Sequence, residues 1–147
     1  MRRMLGLFLI LCLFVVFFSA CDTSVPVADG VYRVEMSEYD ENGYKDYVEF
    51  AVSGGKVTSI IANAYHLDDG KLKTESHDIK VAMEKFSGTY PEKFYKDLVN
   101  GYIGSGGTTT DVIAGATVSS ENFYKMMELA KNAAITGDTS IRIVESD

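Results

Sequence analysis

Cysteine is scarce in this sequence, and its placement excludes a fold held together by disulfide bonds. The 147-residue chain has two cysteines, Cys12 and Cys21. Cys12 lies inside an amino-terminal apolar run that we expect to be removed, so only Cys21 would remain. No disulfide could then form within the mature chain. A chain of this length suits one domain, which must be stabilised by its apolar core alone.

The sequence also has fewer basic than acidic residues. The chain has 14 Lys and Arg against 21 Asp and Glu, a net charge of −7. Removal of residues 1–20 would take away Arg2 and Arg3 but no acidic residue, leaving 12 basic against 21 acidic side chains, a charge of −9. Such an acidic surface argues against nucleic-acid binding and against polybasic docking on anionic lipid.

The amino terminus has the composition of an export signal. Arg2 and Arg3 precede the unbroken apolar run MLGLFLILCLFVVFF, and small residues follow it. A basic start, an apolar stretch and small residues before a cleavage point are the three parts of a signal peptide. The run is short for a bilayer span, and no stop-transfer flank follows it.

The end of this signal predicts a lipid anchor. Ser19-Ala20-Cys21 resembles a bacterial lipobox, in which the cysteine becomes the lipidated first residue, although Phe18 replaces the usual Leu or Val. The alternative is a plain secretory signal with an incidental cysteine. The expected organisation is a signal peptide over 1–20, a linker over 21–28 and one domain over 29–147.

Alternating apolar and polar residues predict three strands after this linker. VYRVEMSE places Tyr32, Val34 and Met36 on one face, and YVEFAV and KVTSIIANAYH continue the pattern. The turn signals between them are Asn-Gly within DENG at 40–43 and the pair Gly54-Gly55. We therefore expect an antiparallel β-meander.

Helical periodicity follows the strands in three segments. The apolar positions are Ile79, Ala82, Met83 and Phe86 in the first segment, Phe94, Tyr95, Leu98, Val99 and Tyr102 in the second, and Phe123, Met126, Met127, Ala130 and Ala134 in the third. Pro91 would begin the second helix, and the third would extend from about Ser120 to Gly137. Strands first and helices afterwards predict an α+β fold, a meander packed with about three helices.

A chemically suggestive stretch, TDVIAGATVSSENF, lies just before the third predicted helix and after the loop GSGGTTT. A helix N-terminus offers unpaired N–H groups and a partial positive charge, which suit a phosphate. We expect Thr117 to lie three residues before the helix, with Ser119 and Ser120 as candidate caps. Small residues at Gly115 and Ala116 would let a bulky group approach the backbone.

The segment DVIAGAT at 111–117 resembles the flavinylation motif of covalent FMN-binding domains. These domains occur in subunits of sodium-pumping and Rnf-type electron-transfer complexes and in small flavinylated lipoproteins. The family pattern is Asp, two variable residues, Ser or Thr, Gly, Ala and Thr, usually with Ser two residues later. The matching residues are Asp111, Gly115, Ala116, Thr117 and Ser119, whereas Ala114 departs from the usual Ser or Thr.

The resemblance implies a specific chemistry. Thr117 Oγ would take FMN from FAD in a phosphoester bond with release of AMP, through a separate Mg²⁺-dependent FMN transferase to which Asp111 would help present the threonine. The implied protein is a lipid-anchored extracytoplasmic module that accepts electrons from a membrane donor and passes them to an unidentified acceptor. It would be an electron carrier more than a catalyst with its own substrate.

Plainer interpretations accompany these expectations. The motif can be an ordinary loop and helix cap, and the protein a lipoprotein that binds a ligand or partner noncovalently. Tyr65 and Tyr102 could flank an isoalloxazine ring, or belong to the core and its rim. His66 and His77 lack the spacing of metal ligands, so we expect no metal site.

Overall fold

The computed structural model of the protein describes residues 26–146. The predicted signal peptide, the lipobox with Cys21 and most of the predicted linker lie outside the described residues. The end of that linker packs on the domain: Val27 is half-buried against the core, and the Ala28 N–H donates to the carbonyl oxygen of Ala134 at 2.8 Å.

A four-stranded sheet forms one layer of the fold. Its strands are β1 (Gly30–Met36), β2 (Tyr44–Ser53), β3 (Lys56–His66) and β4 (Arg142–Val144), in the spatial order β3-β2-β1-β4. The first three strands pair antiparallel, which confirms the predicted meander. The short β4 pairs parallel with β1 and was not predicted, because three residues are too few to show a period of two.

The β2–β3 hairpin turns through two glycines. Gly54 and Gly55 have φ of 60° and 68°, the left-handed values that a two-residue turn of this kind requires. The Asp29 carboxylate accepts a hydrogen bond of 2.9 Å from each of their N–H groups, and these bonds lower the pKa of Asp29. Asp29, which directly precedes β1, therefore stabilises the turn between β2 and β3.

Three α-helices follow the meander, which confirms the α+β class. They are α1 (His77–Ser87), after a 3₁₀ turn at Lys73–Glu75, then α2 (Pro91–Gly104) and α3 (Thr117–Thr136). Pro91 lies in the first turn of α2 as predicted. Gly137 ends α3 in the left-handed conformation at φ 71°, also as predicted.

The core lies between one face of the sheet and helices α2 and α3. Its buried apolar members include Tyr32, Val34, Met36, Val48, Phe50 and Val52 from the strands, Phe94, Tyr95, Leu98 and Tyr102 from α2, and Phe123, Met126, Met127, Ala130, Ala133 and Ala134 from α3. Within residues 26–146, no helix combines the length and the apolar content that crossing a bilayer demands.

Candidate functional site

Thr117 is the first residue of α3, and its side chain is exposed. The expected start near Ser120 is wrong, because the Ser120 N–H already donates to the Ala116 carbonyl at 2.9 Å. Among the described residues no side chain caps this helix, and Ala116 occupies the N-cap position. Sequence reasoning missed this start because alanine gives no capping signal. Thr117 therefore lies inside the first turn, beside its unpaired N–H groups.

Ser120 stabilises the motif loop from within α3, instead of capping the helix as expected. Its side chain is fully buried. The hydroxyl donates to the Ala116 carbonyl at 2.8 Å and accepts from the Ile113 N–H at 3.0 Å. The Ala116 N–H donates in turn to the Ile113 carbonyl at 2.9 Å. These bonds close the loop into a turn that presents Thr117 to solvent.

Gly115 makes a close contact between the motif and the end of α1. Its φ is +80°, a conformation that side chains rarely adopt. A Cβ atom there would lie 2.5 Å from the Ser87 carbonyl oxygen and 2.7 Å from Ser87 Cβ. We expected this space to admit a bulky ligand, but a residue of the same chain fills it, and Ala116 is itself buried.

Asp111 and Ala114 lie on the exposed side of the motif loop. The Asp111 carbonyl accepts a hydrogen bond of 3.4 Å from the hydroxyl of Tyr124, which also hydrogen-bonds to the Thr110 hydroxyl. Tyr124 therefore connects the start of the motif to the side of α3. Because the Asp111 carboxylate faces solvent, it is accessible to a second protein.

Ser119 lies next to the Tyr95 hydroxyl, at the edge of a buried polar cluster that the sequence did not predict. The Tyr95 hydroxyl donates to Asp46 Oδ1 at 2.6 Å, and Asn122 Nδ2 donates to Asp46 Oδ2 at 2.9 Å. Burial, followed by the Asp46 charge, raises the pKa of Tyr95 well above 10.0. This cluster joins the first turns of α3 to α2 and the sheet.

A cleft of about 950 Å³ opens between α2, α3 and the edge of the sheet. Its lining residues are Val27, Phe50, Val57, Ile60, Tyr102, Ile103, Gly106, Gly107, Thr108, Thr109, Tyr124, Glu128, Lys131, Asn132 and Ile135. Lys131 Nζ donates to the Gly107 carbonyl at 3.1 Å across the cleft. This volume lies within the range of small-molecule and cofactor sites.

The cleft lies on the α3 face to which Thr117 belongs. Residues 117, 124 and 131 are seven apart, so they follow one another along one side of the helix. At a rise of about 1.5 Å per residue, Thr117 is roughly 10 Å along the axis from Tyr124, the first cleft residue of α3. The cleft therefore lies on the same side of α3 as Thr117, beyond Tyr124.

The two tyrosines proposed to flank a flavin separate in the structure. Tyr102 lines the cleft, and its ring meets that of Phe123 edge-on at 5.8 Å; burial raises its pKa. Tyr65 lies on the opposite face of the sheet, where its hydroxyl donates to Glu35 at 2.9 Å. Of the pair, only Tyr102 is placed near the motif side of the molecule.

The two histidines line one smaller pocket of about 300 Å³. His66 and His77 lie there together with acidic residues that include Asp69 and Asp78. Within residues 26–146, no three His, Cys, Asp or Glu side chains are grouped so as to hold a metal ion. This pocket is distinct from the cleft and contains none of the motif residues.

Comparisons with known proteins place the chain among small bacterial proteins. No family model matches it. It is 33% identical over 129 residues to the 15 kDa lipoprotein of Treponema pallidum (strain Nichols), covering 87% of this chain and 89% of that protein. The crystal structure of the CPE2226 protein from Clostridium perfringens has a similar fold, with a TM-score of 0.74 and 32% identity, over 82% of this chain and 99% of that one.

Proposed function

This chain belongs to the small bacterial lipoprotein family of the Treponema pallidum 15 kDa lipoprotein, and from that premise we propose that it is an extracytoplasmic flavoprotein. A lipid on Cys21 would hold it at the membrane, and FMN would be bound covalently to Thr117. It would accept electrons from a membrane donor and pass them to another acceptor. The family name supports the lipid anchor; the flavin and the electron transfer are our proposal.

The observation that carries this proposal is the setting of Thr117. Its side chain is exposed on the first turn of α3, so a modifying enzyme can reach the hydroxyl. The unpaired N–H groups and partial positive charge of the same turn favour a phosphodiester attached there. The preceding loop, held by Ser120 and Gly115, keeps the hydroxyl on the surface.

The cleft, which begins about 10 Å along α3 from Thr117, supports this proposal as a place for the remainder of the FMN group. The cleft along the same side of α3 has the volume and the apolar, aromatic lining that flat aromatic ligands favour. Tyr102 and Tyr124 contribute aromatic surface, and Glu128 and Lys131 contribute charges of opposite sign. When bound, the flavin would supply the electron-transfer chemistry, while these residues would orient it and limit its contact with water.

The attachment step is a phosphoryl transfer. Thr117 Oγ would form a bond to the phosphorus on the FMN side of the FAD pyrophosphate, and the pyrophosphate P–O bond would break to release AMP. The hydroxyl proton would pass to the FMN transferase, which also holds Mg²⁺. A covalent bond has a clear advantage outside the cell, because a noncovalent site retains ligand only in proportion to its free concentration.

Flavin fluorescence in a denaturing gel tests the proposal. The full chain is co-expressed with an FMN transferase, and we expect a fluorescent band whose intact mass includes one FMN. Thr117→Ala should lose the label and Thr117→Ser should retain part of it. Thr136→Ala, which changes an exposed threonine at the opposite end of α3, should label fully. An unlabelled wild-type chain would contradict the proposal, and full labelling of Thr117→Ala would move the attachment to another hydroxyl.

The cleft supports a second candidate function. A lipoprotein that binds a small apolar ligand noncovalently would use the same 950 Å³ of space. Such a ligand would leave the protein on denaturation, so a coloured native protein that gives a colourless band would favour this alternative.

A further inference from the structure

The two edges of the sheet differ in length and in charge. The outer strands are β3 and β4. β4 has three residues, and Arg142 within it forms an ion pair with Asp138 at 2.7 Å. β3 has eleven residues, and the first six are all exposed except the half-buried Ile60. A short, charged edge resists pairing with another strand, whereas a long edge with few charges favours it.

The middle of β3 has backbone groups with no partner on one side. At the far end of the strand, Tyr65 forms a bridge with Leu72, and at the hairpin end the register shifts opposite Ala51. In between, at 57–62, the structure of residues 26–146 shows no backbone partner on the side away from β2. We call residues 57–62 the open edge.

The side chains of the open edge lack most of the features that prevent edge strands from pairing. Its sequence, VTSIIA, has no charged residue and no proline, and four of its six residues are β-branched. Val57 is 48% exposed and Ile61 is 45% exposed. Natural proteins place charges or proline along an exposed edge, so an unprotected edge indicates that another strand covers it.

The charge pattern of the chain indicates which strand that is. The chain carries 21 acidic residues, yet residues 50–67 contain no Asp or Glu, the longest such stretch after the predicted signal peptide. Two copies of an acidic protein repel each other where their charged surfaces meet. At the open edge this repulsion is weakest, so a second copy of the same chain can approach there.

We infer that the open edge pairs antiparallel with the open edge of a second copy. A strand edge is complementary to itself when a two-fold axis relates the two strands, because each N–H then faces a C=O of the partner. Such pairing joins the two four-stranded sheets into one sheet of eight strands. The inference does not depend on flavin attachment, since it uses none of the motif residues.

The contact is small, so the dimer should be weak. Six residues on each copy supply less surface than a stable interface of about 1,600 Å², and we expect a dissociation constant of roughly 10–100 μM. The proposed lipid anchor would hold copies in one membrane plane and so raise their local concentration.

Sedimentation of the full chain, in a solvent that matches the detergent density, tests the inference. The wild type should become dimeric as its concentration rises, and Ile61→Lys should weaken the dimer about tenfold or more, because two lysines would meet near the axis. The new lysine lies beside Glu49 in the register of β2 and β3, so the monomer should remain folded, which circular dichroism checks.

Ile143→Lys is the matched control on the other edge. Ile143 is 48% exposed and lies beside Glu35 in the register of β1 and β4, and both Glu35 and Glu49 accept hydrogen bonds from Arg33. This variant should form dimers like the wild type. A wild type that stays monomeric up to about 1 mM, a dimer that survives Ile61→Lys, or a dimer that Ile143→Lys also abolishes would each overturn the inference.

Disulfide formation between single cysteines tests the antiparallel geometry. A two-fold axis near the centre of the regular part of the open edge places Ile60 or Ile61 opposite its own copy, with Cα atoms about 5 Å apart. Ile60→Cys or Ile61→Cys should therefore cross-link two chains under a mild oxidant. Val57→Cys should not, because its copy lies roughly 20 Å away along the paired strand. Equal cross-linking at all three positions, or at none, would contradict the pairing.

Discussion

Helices α1 and α3 carry similar apolar stripes in the sequence, but only α3 is buried in the fold. Eight residues of α3 are buried, among them Phe123 and Met127, whereas none of the eleven described residues of α1 is. The difference arises because α3 packs across β1 and β2, while α1 packs mainly on α2 and on the 3₁₀ turn before it. Periodicity thus predicts a helix, but whether its apolar face is covered depends on what lies opposite.

The difference between the helices bears on the motif that contains Thr117. Both meet at the motif, where Gly115 contacts Ser87 and Thr117 begins α3. The buried helix provides a rigid support for Thr117, whereas the exposed helix leaves the Phe86 ring in solvent. Substitutions in the two helices and at the contacts around them test this difference.

Removing one aromatic ring from each helix should give the largest contrast. Phe123 is 1% exposed and its ring meets those of Tyr102 and Tyr124. Phe123→Ala should therefore lower the free energy of unfolding by about 3–5 kcal/mol. Phe86→Ala should change it by less than about 0.5 kcal/mol, as for other surface substitutions. Urea denaturation of both variants measures the difference, and equal losses would contradict the account of α1 as an exposed helix.

A methyl group at the junction of the two helices should have the next largest effect. Gly115→Ala introduces a left-handed alanine, at about 1–2 kcal/mol, and a clash with the Ser87 carbonyl that adds about 1–3 kcal/mol. Gly88→Ala is the matched control, because Gly88 has φ of +68° but open space around it. Both variants place an alanine in the left-handed conformation, so the difference between their thermal unfolding temperatures measures the clash alone. If the two lose the same stability, the close contact with Ser87 is absent in solution.

The polar cluster under α3 should contribute both stability and a pH dependence. Tyr95→Phe removes the hydrogen bond to the Asp46 carboxylate, at a cost of about 1.5–3 kcal/mol near neutral pH. Because the pKa of Tyr95 is raised in the folded state above the ordinary 10.0, the folded protein keeps this proton when the unfolded chain loses it. The stability that Tyr95 contributes is therefore complete below pH 10 and falls as pH rises above it.

Denaturation at a series of pH values tests that sign. Above pH 10 the wild type should lose stability more steeply than Tyr95→Phe, whereas the other tyrosines contribute equally to both proteins. Parallel curves would show that Tyr95 is not protected from ionisation in the folded state.

The loop that presents Thr117 should give the smallest of these effects. Ser120→Ala leaves the partly buried Ile113 N–H without its acceptor, at about 1–2 kcal/mol. Thr136→Ala also removes a hydroxyl that bonds to helix carbonyls, but an exposed one, and should be nearly neutral. Hydrogen exchange at Ile113 reports the local effect directly, and unchanged protection there would exclude the proposed bond.

Local residue patterns predicted much of the fold. Alternation at Tyr32, Val34 and Met36 marked a strand with one buried face, and all three are buried. Pro91 and Gly137 marked a helix start and a helix end because proline and glycine restrict or free the backbone wherever they occur. The start of α3 was misplaced by three residues, since Ala116 and Thr117 carry no such local signal.

By itself, then, the sequence determined the α+β class, the meander, the helices and the short motif around Thr117, because each depends on residues within one or two turns of chain. Only the tertiary structure decided that Ser87 fills the space beside Gly115 and that the Tyr95 hydroxyl donates to the Asp46 carboxylate. Those contacts join residues far apart in the chain, and their partners are selected by the packing of α2 and α3 on the sheet. The periodicity of apolar residues within one element does not show which distant residues that element will contact.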